Sequence, residues 1–143
     1  TIKENLSEFL ENYRLITDAI DIVDARIINI GVEYGVTIDV RESVDAIIQS
    51  VNAKISEYFQ ITNFHIDTPI VISEIQNIIL NCKGVVSLLD FEIVAKPQAE
   101  GLNSYSEVRY EPLRYINRGI LYPLPGGIFE VKFPNDDIKG RIR

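Results

Sequence analysis

The sequence predicts an α+β fold: a βααβ two-layer sandwich with an N-terminal helix and a C-terminal β-hairpin extension. Three observations carry that expectation. Residues 26–40, RIINIGVEYGVTIDV, place an apolar side chain at every even position from Ile28 to Val40. Successive side chains on a strand point to opposite faces, so this alternation describes a strand with one buried and one wet face. Two stretches with apolar residues three and four apart follow, as amphipathic helices would. Residues 85–94 then return to extended character. A straight strand as long as 26–40 would span roughly 50 Å. Gly31 and Gly35, both on its polar side, mark where it can bend or bulge.

In chain order, residues 1–20 read as a helix. Leu6, Phe9, Leu10, Tyr13, Ile16 and Ile20 build one apolar stripe, and Thr1 with Glu4 forms a capping box. A helix of this length is not stable alone, so its stripe must meet a sheet or another chain. Asp18, Asp21 and Asp24 mark its exit. They lack the alternating oxygen ligands and glycine of a calcium loop, so they read as solvated charges. The chain opens nearly inside this helix and has no initiator Met, which reads as a fragment of something longer.

After the central strand, Ser43 is placed to cap a helix whose apolar face runs through Val44, Ile47, Ile48, Val51, Ile55, Tyr58 and Phe59. Residues 61–72 are extended by composition and broken by Pro69. Ser73 and Gln76 form a second capping box for a short helix through Ile75, Ile78, Ile79 and Cys82, and Gly84 ends it in a left-handed cap. In the strand 85–94, Val85, Ser87, Leu89, Phe91 and Ile93 share one face. Its first half is apolar on both faces and should be the better buried.

The domain reading is therefore an N-terminal amphipathic helix and linker over 1–24, a βααβ core over 25–96, and a Tyr/Arg-rich extension over 97–143. In the extension, residues 120–124 and 128–133 flank Pro125-Gly126-Gly127, which reads as a hairpin turn. Tyr105, Tyr110, Tyr115 and Tyr122 are interleaved with Arg109, Arg114 and Arg118. Tyr and Arg are enriched at interface centres, and a tail too short for its own core must pack on something. Phe9, Tyr13, Tyr105, Tyr110, Tyr115, Tyr122 and Phe129 are accordingly the expected interface residues. The plainer alternative is that the tail completes its own domain's sheet.

The charge is −7 and unevenly placed: residues 1–96 balance to −8, residues 97–143 to +1. An acidic body argues against a nucleic-acid partner, and no apolar run reaches the roughly 20 residues of a membrane span. A single Cys82 excludes an internal disulfide and reads as a small buried hydrophobe. His65 is the sole histidine, so a multi-histidine metal site is excluded. With Asp67 and Ser73 it could compose a hydrolytic triad, but Ser73 opens a helix and lacks the G-x-S-x-G elbow. Asp136-Asp137 reads as a turn, and Gly126-Gly127 lacks the Lys and Ser/Thr of a phosphate loop. The residues point to no enzyme and no cofactor.

One resemblance adds to this. The strand and long helix are followed by an extended segment, then by Ser73, Glu74, Ile75, Ile78 and Ile79, with Gly84-Val85 opening the last strand. This order resembles the C-terminal region of baseplate J-like proteins from contractile-tailed phages and related injection machines. ENYRLITDAIDIVDARIINIGVEY and GILYPLPGGIFEVKFPNDDIKGRIR look like the C-terminal portion of the T4-type baseplate wedge subunit of that family. The resemblance implies a non-enzymatic structural virion protein whose subunits pair, touch other wedge proteins and join wedges into a ring around the tail tube. It carries no catalytic residues. Against it stands a small ligand-binding or hydrolytic α+β domain around Ser73, His65 and Asp67.

Overall fold

The alternating stretch forms β1 (Arg26–Ile38), on which the rest of the molecule is assembled in the computed structural model, which describes residues 1–11, 24–96 and 105–143. Before it lies α1 (Ile2–Glu11); after it come α2 (Val44–Tyr58), β2 (Ile70–Val71), α3 (Ile72–Leu80) and β3 (Val85–Ala95). The tail contributes α4 (Pro112–Tyr115), β4 (Ile116–Asn117), β5 (Ile120–Leu121), β6 (Gly127–Glu130), α5 (Pro134–Asp137) and β7 (Ile138–Ile142). The fold is α+β, with helices and mixed sheets.

Ile28, Ile30, Val32, Tyr34 and Val36 of β1 are all fully buried, as their spacing predicts. They meet the apolar faces of α2 (Ile47, Val51, Ile55) and α3 (Ile75, Ile79). The opposite face is less wet than the alternation suggests: Asn29 is buried there and Glu33 and Thr37 are half-buried. Antiparallel pairing with β3 runs from Ile30↔Ala95 to Ile38↔Val85 and slips twice, after Gly35 and after Thr37. Each slip leaves one extra residue on β3, first Leu89 and then Val86. The bulges redistribute the side chains. Leu88 and Val85 join Phe91 and Ile93 opposite the even positions of β1, while Leu89 and Val86 are 56% and 63% exposed. The first half of β3 is thus the less buried half, against the sequence expectation. Only Ile93, in the second half, is buried.

The tail departs most from expectation. No hairpin forms across Pro125-Gly126-Gly127. The hairpin lies one turn earlier, where β4 pairs β5 across Arg118-Gly119, and β5 also pairs β2 to complete a small three-stranded sheet. Both turn residues have positive φ, 53° and 76°, the signature of a two-residue hairpin loop whose twist matches the strands. β6 and β7 instead lie parallel to β1, β6 on Arg26–Asn29 and β7 on Val32–Val36. They form one line of chain interrupted by the single turn of α5. Residues 127–142 therefore complete the main sheet, the plainer alternative weighed for the tail.

Cap positions are shifted too. α3 begins at Ile72, with Val71 at the cap and no side-chain capping bond, so Ser73 and Gln76 lie inside its first turns rather than reciprocally capping it. Ser43 does occupy the cap of α2, again without a side-chain bond. Thr1 and Glu4 form the expected box: the Glu4 amide donates to Thr1 Oγ1 at 3.2 Å and the terminal amine to Glu4 Oε2 at 3.1 Å. Gly84 has φ +91° but follows α3 at a distance, in the turn into β3; a Cβ there would lie 2.7 Å from Ile47 Cδ1. Residues 61–69 are turns rather than strand.

Candidate interaction surfaces

The expected interface residues divide by placement. Phe129 and Tyr110 are 2% and 7% exposed and belong to the chain's own core. Tyr110 donates its hydroxyl to the Tyr122 carbonyl, stacks on Tyr115 at 5.0 Å and meets Phe129 edge-on at 5.6 Å. Burial pushes its pKa up. Tyr105 donates a 2.7 Å hydrogen bond to the buried carboxylate of Asp137. That bond, then desolvation and the charges of Asp137 and Asp136, push its pKa to about 12. The Ser106 amide donates to Asn29 Oδ1 at 2.6 Å, and Asn29 Nδ2 donates to Glu130. This polar set pins the return of the chain against β1 and β6. Tyr122 and Phe9 remain at the surface, and Tyr13 lies outside the described residues. Tyr105, Tyr110, Tyr115 and Phe129 thus pack within the chain, while Tyr122 and Phe133 are exposed.

His65, Asp67 and Ser73 are not brought together by any hydrogen bond. The Asp67 carboxylate accepts the Gly126 amide at 2.7 Å while its own amide donates to the Gly127 carbonyl, so it clasps the 124–127 turn. Asp67 takes φ +64° to do so, a conformation that Asn and Asp tolerate best among non-glycine residues. Ser73 is exposed on α3, and His65 shares backbone bonds with Thr68. Cys82 is buried, as expected, with its thiol directed to the Ile78 carbonyl and its pKa raised by desolvation. Among the described residues no group of His, Cys, Asp and Glu could hold a metal ion, and no helix is long and apolar enough to cross a membrane. Asp18 and Asp21 lie outside the described residues; Asp24 pairs with Lys3 at 3.2 Å.

A surface the sequence reading did not single out is more telling. Among the described residues, β3 pairs β1 along one edge only. The Lys96 amide donates to the Asn29 carbonyl, directed at β1. Backbone groups alternate sides along an antiparallel strand, so those of Phe91, Ile93 and Ala95 point to the open edge. Beside them runs a groove of about 820 Å³, bounded by Phe91–Ala95, Ile72 and Gln76 on one side and by Tyr110–Leu113, Ile116, Gly119 and Leu121 on the other. Leu113 is 89% exposed at its rim. The apolar doublets Val85-Val86 and Leu88-Leu89, in the first half of β3 outside this groove, read as depth of burial, but the bulges turn one member of each outward.

Neither a family model nor a curated protein matches this chain.

Proposed function

We propose that this chain is the oligomerisation part of a contractile-tail baseplate wedge subunit. In this reading it is a structural, non-enzymatic virion protein, assembled in the host cytoplasm, that pairs with itself and with other wedge proteins to link wedges into a ring around the tail tube. The sequence resemblance over the strand, helices and both flanks supports the baseplate assignment. The observation that carries an assembly role physically is the open edge of β3. Unpaired strand edges are ordinarily blunted by charge, proline or a covering element. Here the second half of the edge borders an apolar groove, with Leu113 and Ile116 exposed in its lining.

The test is the solution mass of the chain across a concentration series. A dimer or larger species that dissociates on dilution is the expected result. A monomer up to the millimolar range removes the physical case for assembly.

One observation favours a second reading, a small ligand-binding domain: a groove of about 820 Å³ lies within the usual size of small-molecule sites. A monomer carrying a bound apolar compound in its native mass spectrum would select that reading. The hydrolytic version has less behind it, because Asp67 is engaged by the 124–127 turn.

A further inference from the structure

We infer that the open edge of β3 pairs with the β3 edge of a second copy, antiparallel, in the register that sets Glu92 opposite Lys96 of its mate. The inference rests on the assembly reading above and names the surface that performs it.

Glu92 and Lys96 lie on the same face of β3, away from the helices. Glu92 is in register with Glu33, and Lys96 lies over Gly31 together with Val94. Within the chain, neither side chain has an ion-pair partner among the described residues. Glu92 instead faces a like charge, Glu33, directly across the sheet, an arrangement that weakens a strand pair. Lys139 on β7 is in register with Glu33 on its far side, not with Glu92. By contrast Asp90, the next acid along that face, forms an ion pair with Arg143 Nε at 2.5 Å, although its buried Oδ2 makes no hydrogen bond. The edge therefore offers one acid and one base, each without an ion-pair partner among the described residues, four residues apart on one face.

An antiparallel strand related by a two-fold axis through Val94 meets both at once. Glu92 falls opposite the mate's Lys96, Lys96 opposite the mate's Glu92, and Val94 opposite itself. The outward amides and carbonyls of Ile93 and Ala95 then bond reciprocally to those of the mate. This parity is the one the edge requires, because Ile93 and Ala95 carry the outward groups and Glu92, Val94 and Lys96 do not. Such an axis keeps the helical layers of both copies on the same side of the extended sheet. It brings the two grooves mouth to mouth, so that the exposed Leu113 and Ile116 of each copy face an apolar partner. The bulge at Leu89 confines the pairing to the second half of β3 by twisting the first half away.

The test is a charge swap in the full chain, read by sedimentation and by amide exchange. Glu92→Lys and Lys96→Glu should each raise the dimer dissociation constant by about tenfold or more, since each places two like-charged pairs across the interface. The double variant E92K/K96E should recover the parent value to within about threefold. Exchange at the Ile93 and Ala95 amides should slow as concentration rises, a readout independent of any variant's folding. A dimer indifferent to the swap and unprotected at those amides overturns this surface while leaving the assembly reading in place. A monomer at every concentration overturns both.

Discussion

Tyr34 sits at the middle of β1 with no exposed surface, yet its hydroxyl is satisfied by a 2.6 Å hydrogen bond to Asn52 on α2. Its ring lies over Gly140, its register partner on β7, where any Cβ would collide with the ring. A tyrosine in a strand core is admissible only where the tip meets a partner and the neighbour leaves room. Tyr34→Phe should cost about 1 kcal/mol, because Asn52 is left with an unpaired acceptor, measurable by urea denaturation. Gly140→Ala should cost more, about 1–3 kcal/mol, through forced displacement of the ring. Equal stability of the two variants would contradict the contact. Tyr105 supplies a pH dependence. Its folded pKa is raised from 10.0 to about 12, so the protonated hydroxyl is favoured in the native state. Its contribution is whole below pH 10 and is lost as pH rises through about 12. Tyr105→Phe should therefore flatten part of the decline in stability over that window. An unchanged slope would mean that the bond to Asp137 does not persist in solution.

Among elements, those whose pattern is local were legible in the sequence and those that depend on distant partners were not. The alternation of β1 and the faces of α2 and α3 follow from their own residues, because periodicity and burial coincide. β6 and β7 could not be read that way. They pair in parallel with a strand about a hundred residues earlier in the chain, and nothing in Gly127–Glu130 or Ile138–Ile142 specifies that neighbour. The turn at Arg118-Gly119 is not legible in the sequence for a physical reason. Pro125-Gly126-Gly127 is the richer turn composition, while Arg is a poor left-handed residue. The flanking strands nonetheless impose positive φ on Arg118. That imposition costs about 1–2 kcal/mol for an ordinary L residue. Arg118→Asn should relieve part of it and raise stability by roughly 0.5–1 kcal/mol, visible as a higher melting temperature. A neutral or destabilising outcome would show that Arg118 makes up the strain in some other way. The exposed first half of β3 was hidden for a related reason. Leu89 reads as core by alternation, and only the register slip after Gly35 turns it outward.

For the whole molecule, the placement of β7 decides which end of the chain the fold needs. Ile138 is 2% exposed, β7 is the neighbour of β1 from Val32 to Val36, and the Arg143 amide closes the ladder on the Val36 carbonyl. Its side chain crosses Gly35 to reach Asp90, tying β7 to β3 over the top of β1. Removing residues 138–143 would uncover one side of the central strand, expose Tyr34 and leave Asp90 without its cation. Burial of Ile138 alone is worth about 1.5–3 kcal/mol, and total stability for such a domain is typically about 5–15 kcal/mol. The truncated chain should lose more than about 10 °C in melting temperature or its cooperative transition altogether. Removing residues 1–11 takes away a helix that buries none of its residues, and should shift the transition by only about 2–3 °C. The comparison separates folding from assembly. If the C-terminal deletion were as mild as the N-terminal one, the parallel pairing of β7 with β1 would be wrong. If it is severe, the last six residues are part of the core, and interface tests must use point variants on the β3 edge rather than tail truncations.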